Sequence, residues 1–221
     1  MAHSEKLAHP LSLELALLYA SMMHVYRGEP TPAVQRLETA EKLVAEQRLA
    51  FLLEPRLLRA GALITQGAAR DAVACLQEGL AGRLGANTSR SFGLALLAQA
   101  LARQSHAEAA LSAVDDALRS TGETGERWWT AEIYRVRGLA YLAKDAVEES
   151  AACFQEALAI ARQQQAKSLE LRAATSLARL WGEQGRRAEA RNLLAPVHGW
   201  FTEGFDTADL KDAAKLLSEL A

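Results

Sequence analysis

Tyr134-Arg-Val-Arg-Gly138-Leu-Ala-Tyr141 opens the stretch that decides the fold, and Asp145-Ala-Val-Glu-Glu-Ser150-Ala-Ala-Cys-Phe154-Gln-Glu-Ala157 completes it. Tyr134, Gly138 and Tyr141 share one face of a helix by their spacing. A turn near Lys144-Asp145 separates them from Ser150, Phe154 and Ala157, which repeat that spacing on a second helix. Small residues in the middle of the first helix and at the start of the second let the two approach closely. Large apolar residues then fill the gap as knobs against neighbouring ridges. One such hairpin cannot bury both of its faces, so copies must stack.

Four further copies keep the register. Downstream lie Ala174, Ala178, Trp181, Gly185, Ala190, Leu194 and Val197. Upstream lie Leu94, Ala98, Leu101, Ser105, Ala110, Val114 and Ala117, and before them Ala60, Leu63, Gly67, Ala72, Leu76 and Gly79. The first copy reads Leu17, Ser21, His24, Gly28, Ala33, Leu37 and Ala40. The reference position therefore moves through 21, 60, 98, 138 and 178, in steps of 39, 38, 40 and 40. Composition agrees, with 45 Ala and 36 Leu against 11 Val plus Ile. Sheets draw on β-branched residues, whereas Ala and Leu lead the helix scale.

The pattern resembles the tetratricopeptide (TPR) repeat. The fourth copy carries its aromatic–Gly–Tyr and small–Phe–Ala spacing, while the other copies keep the small residues and lose the aromatics. The period of about 39 exceeds the usual 34, which implies longer helices or links. Such stretched repeats are similar to those of bacterial signal-transduction ATPases. The segments Ala166 to Trp181 and Trp200 to Asp206 resemble the C-terminal part of predicted ATPases, many fused to an adenylate cyclase domain. The resemblance implies an all-α, right-handed α-solenoid of about five helix pairs plus a C-terminal capping helix. It places an N-terminal tail at 1–10, the repeat domain at 11–204 and the capping helix at 205–221. In the last helix, Asp206 or Thr207 is the expected N-cap, and Asp209 in the first turn suits the dipole. The implied function is a non-catalytic protein–protein interaction or regulatory scaffold, the sensor or partner-binding end of a larger bacterial signalling ATPase or cyclase. A homodimerisation module and a small-molecule-sensing solenoid are the alternatives.

At the other end, Met22, Met23, Val25 and Tyr26 have no earlier copy to cover them. This predicts either a chain cut from a longer protein or self-association through the first helix pair. No apolar run reaches the roughly 18 residues of a membrane span, and Met1 to Pro10 does not read as a signal peptide, so a cytoplasmic protein without a membrane partner is expected. Net charge is −2, which offers no pull toward nucleic acid. Cys75 and Cys153 share a repeat position two copies apart, too far for a disulfide, and are expected to be small buried hydrophobes.

No catalytic residue, cofactor or metal is expected. There is no Gly-x-x-x-x-Gly-Lys-Ser/Thr loop, and Gly79, Gly82 and Gly85 mark a loop after a helix. The five histidines show no metal-ligand spacing. By the resemblance, the first helix of each pair lines a concave groove. That wall includes Met22, Val25, Phe92, Gln99, Arg103, Glu132, Arg135, Leu139, Arg172, Thr175 and Arg179. Its partner-binding set is Gln99, Arg103, Glu132, Arg135, Arg172 and Arg179. Their guanidinium groups suit a protein or peptide partner bearing carboxylates. Reversal of Arg135 and Arg179 to Glu should then abolish capture without unfolding. Glu123, Glu126 and Glu132 argue against Trp128-Trp129 as a base-stacking platform. One Trp packed inward and one half exposed is the expected arrangement, with Trp181 and Trp200-Phe201 in the core.

Overall fold

The computed structural model describes residues 9–50, 54–82 and 89–221. Among the described residues there are eleven helices and no strand. They pair as α1 (Pro10–Tyr26) with α2 (Pro30–Gln47), α3 (Pro55–Thr65) with α4 (Ala69–Ala81), and α5 (Arg90–Arg103) with α6 (Ala107–Thr124). Then follow α7 (Thr130–Leu142) with α8 (Val147–Gln163), and α9 (Lys167–Glu183) with α10 (Arg187–His198). The last helix, α11 (Ala208–Glu219), packs on α9 and α10. Residues 1–8 of the expected tail lie outside the described residues, as do Gly85 of the expected loop and residues 51–53. His9 caps α1 through its ring nitrogen, and Pro10 takes the first helical position, where a missing N–H costs nothing.

One turn design recurs in every pair. A left-handed residue stands at Gly28, Gly67, Ser105, Asp145 and Gly185. The N–H that follows it donates back five residues: Glu29 to His24, Ala68 to Leu63, His106 to Leu101, Ala146 to Tyr141 and Arg186 to Trp181, at 2.8–3.0 Å. This is the Schellman closure, which satisfies carbonyls the helix leaves open. Its steps of 39, 38, 40 and 40 equal those of the small-residue position. Outside the second pair, whose helices have 11 and 13 residues, the added period over a standard repeat lies in long helices, with 18 residues in α2 and α6 and 17 in α8 and α9.

The interlock between paired helices follows the sequence pattern. Ser21, Ala60, Ala98, Gly138 and Ala178 are buried, and so are the large residues Leu37, Leu76, Val114, Phe154 and Leu194. A Cβ at Gly138 would lie 2.4 Å from Phe154 Cε1, so only glycine admits that ring. Ser21 donates to the Ala33 carbonyl at 2.9 Å, tying α1 to α2.

Three expectations require correction. Met22, Val25 and Tyr26 are not left uncovered. Val25 packs with Ala33 and Ala62, Met22 lies against the main core, and Tyr26 stacks on Trp129 from the fourth pair at 5.0 Å. Of the four residues Met23 alone is exposed, at 48%, and on the same helix Leu11 and Tyr19 are exposed too. Trp200 is 57% exposed rather than core, because α10 stops at His198 and in the turn that follows it is Phe201, not Trp200, that packs against the core. The Trp200 ring lies under the Lys167 ammonium instead, at 5.5 Å. Finally, Cys75 and Cys153 are free but only half buried, each sitting one residue before the large apolar position and so rotated off the core face. Burial pushes both thiols up from their ordinary value. No helix among the described residues is long and apolar enough to cross a membrane.

Candidate functional site

The first helices of successive pairs adjoin one another and form the inner wall. Helical spacing aims Gln99 and Arg103 of α5, Arg135 of α7, and Arg172 and Arg179 of α9 into one cleft of about 580 Å³. Leu139 and Thr175 line it as well. Glu132 lies in an adjoining cavity of about 270 Å³, shared with Gln99, Arg103, Arg172, Val25 and Phe92. All six residues of the sequence-derived set thus meet on one continuous wall. Of the broader lining, Met22 alone faces away from both hollows.

Their charges are largely matched within the chain. Arg135 forks onto Glu132 at 2.6 and 2.8 Å, and Arg172 reaches the same carboxylate at 3.1 Å. Burial alone would raise the Glu132 carboxyl, but Arg135 and Arg172 outweigh it and hold it below the usual carboxylate range. Arg172 also donates to Asp209 at 2.9 Å, and Arg179 donates to both oxygens of Asp212 at 2.8 Å. Burial works against the Arg172 cation, yet Glu132 and Asp209 together raise its pKa. Arg103 differs. It donates to the Ile64 carbonyl and has no carboxylate partner among the described residues. Partial burial, with the like charges of Arg135 and Arg172, lowers its pKa.

Sequence reading missed Asp209 and Asp212. Asp209 was legible as a first-turn acid of α11, but nothing local tells that this turn enters the groove. Arg135 also proves unsuited to charge reversal: it is 9% exposed and bound to a buried carboxylate, so a second carboxylate there would unfold the site.

A second feature bridges the groove. Tyr26 of the first pair, Phe92 of the third and Trp129 of the fourth form one aromatic cluster. Phe92 meets Trp129 edge-on at 5.4 Å and Tyr26 edge-on at 6.0 Å. Trp129 is 5% exposed and Trp128 41%, with Trp128 Nε1 donating to Glu126 at 2.6 Å. Beside the cluster, the Arg27 carbonyl accepts from the Ala208 N–H at 3.3 Å, and the Arg27 guanidinium stands 3.6 Å from Asp206. The far end of the solenoid therefore touches its beginning. Among the described residues no three His, Cys, Asp or Glu side chains gather as a metal site would require.

No protein-family model matches the sequence, and no curated protein matches it. Among solved structures the chain is similar to a thermophilic TPR protein from Thermus thermophilus, at 22% identity and a TM-score of 0.66. That match covers 94% of this chain and 98% of the other. It is also similar to a Signal Transduction ATPase with Numerous Domains (STAND) protein with a tetratricopeptide repeat sensor, from Pyrococcus horikoshii. There the identity is 17% and the TM-score 0.58, over 94% of this chain and 32% of that one. Likeness at such identity speaks for architecture alone, and the architecture is that of the tetratricopeptide-repeat solenoid.

Proposed function

We propose that this chain is a non-catalytic, cytoplasmic partner-binding module whose groove takes an acidic peptide segment of a protein partner. One observation carries the reading: Arg103, Arg135, Arg172 and Arg179 meet Glu132, Asp209 and Asp212 on one wall, so four cations face three anions. Arg103 is the cation left over. An incoming carboxylate gains a charge-assisted hydrogen bond there without breaking an existing pair. The likeness to a STAND protein with a TPR sensor supports a role as the sensor end of a larger signalling ATPase or cyclase. Occupancy of the groove would then alter the packing of the module against its neighbour.

The test is the binding of a fluorescein-labelled Glu/Asp-rich peptide, followed by anisotropy. Wild type should bind it with an affinity that falls as salt rises. The double variant Arg103→Glu/Arg179→Glu, changed at exposed positions, should lose at least about tenfold in affinity. Equal binding by both proteins would overturn the reading.

A second reading, self-association through α1, draws on Tyr19 and Met23, exposed one turn apart at 55% and 48%. Light scattering over a concentration series separates it from a monomeric adaptor.

A further inference from the structure

Where the two ends of the solenoid meet, a further cavity of about 360 Å³ opens, which borders the groove at Arg172 and Asp209. Its wall is apolar and aromatic: Met23 and Tyr26 of α1, Trp128 and Trp129 before α7, Leu169 of α9, and Phe201 of the link to α11. Ligand sites favour this composition, a hydrophobic and aromatic lining with a few polar groups, and the volume falls in the range of small-molecule pockets. Met23 and Trp128 are both large and both exposed, so covering them releases water from apolar surface.

The charges at its edge are already matched. Arg172 is held by Glu132 and Asp209, and Arg27 by Glu29 and Asp206. A charged occupant would have to break one of these pairs, whereas a neutral one leaves them standing. Two polar atoms of the wall, the Tyr26 hydroxyl and Trp129 Nε1, are buried without a hydrogen-bond partner. Each can donate, and an unmet buried donor costs about 1–3 kcal/mol. Both are closed to solvent, so an occupant meets the ring faces and edges rather than these two atoms. Flat rings suit the remaining space, because offset and edge-on contacts with the tryptophans are available.

We propose that this seam cavity is a binding site for a small, neutral, planar aromatic molecule, and that its ligand bridges the first and last repeats. The inference does not rest on the groove reading, since the occupant and its chemistry differ.

The probe is N-phenyl-1-naphthylamine, neutral and brighter in apolar surroundings, titrated into the full chain. It has the neutral, planar aromatic chemistry proposed for the occupant. Saturable one-to-one binding is expected, with a rise in Tm at saturation. Met23→Glu and Trp128→Ala both change exposed positions, and unchanged far-UV circular dichroism verifies their fold. Each is expected to weaken probe binding about tenfold or more. Arg179→Glu, in the groove, should leave probe binding unchanged even if it abolishes peptide binding. The proposal falls if no saturable signal is seen, or if both seam variants bind as wild type does. It falls equally if the signal tracks dimer formation in light scattering, which would make Met23 and Trp128 a self-association face.

Discussion

The backbone carbonyl of Arg27, in the turn of the first helix pair, accepts a hydrogen bond from the N–H of Ala208, where the last helix begins. Gly28 makes this contact possible. It has φ +72°, and a Cβ added there would lie 2.6 Å from the Ala208 Cβ. Repeats that each touch only their neighbours would leave such a groove open. Here the first and last repeats meet across it.

Gly28→Ala should therefore part the two ends. The left-handed φ alone costs an L-residue about 1 kcal/mol, and the clash adds to it. A fall in Tm of about 2–4 °C per kcal/mol is expected, with a larger radius of gyration in small-angle X-ray scattering. An unchanged radius would mean that the contact does not hold the ends together.

Gly138 and Phe154 should behave as one unit. Gly138→Ala forces a methyl into the Phe154 ring and should cost about 1–3 kcal/mol by overpacking. Adding Phe154→Leu, itself destabilising, should relieve part of that cost, so the double variant should be more stable than the sum of the singles predicts. Urea unfolding of the four proteins measures the coupling, and strict additivity would refute the interlock.

Glu132 gives the groove a defined acid response. Its carboxyl pKa is lowered in the folded chain, so its contribution is complete above the unfolded value of about 4.3 and is lost as pH falls through the lower folded value. Glu132→Gln strips Arg135 and Arg172 of their shared carboxylate and should cost about 3–5 kcal/mol at neutral pH. The gap between variant and wild type should narrow only below about pH 4.3. Urea titrations across a pH series check the sign: a gap that widens in acid contradicts it.

Asp212→Asn should leave stability almost unchanged, because the Arg179–Asp212 pair is 43% and 53% exposed and such pairs contribute about 1 kcal/mol or less. The freed Arg179 should then bind acidic peptide more tightly. Anisotropy titration would show the gain, and weaker binding would mean that Asp212 itself contacts the partner.

Much of this fold is legible along the chain because its causes are short in range. The closure after Gly28, Gly67, Ser105, Asp145 or Gly185 spans six residues, and the small–large interlock lies within a single helix pair. Trp128 and Trp129 divide into an exposed and a buried ring, as expected of two adjacent residues where a helix packs against its neighbouring repeat. Trp200 escapes the same reasoning, since its place depends on where α10 stops and how the next link turns.

The order of helices and their pairing follow from periodicity, because hydrophobic burial and turn closure act between near neighbours, and the resemblance to the TPR repeat then implies the wall on which Arg103, Arg135, Arg172 and Arg179 gather. Which carboxylates meet those arginines is a matter of tertiary structure. Asp209 reaches Arg172 because α11 packs on α9, whereas Tyr26 reaches Trp129 only as small rotations from one repeat to the next accumulate. That sum depends on every packing contact between, and no local pattern encodes it.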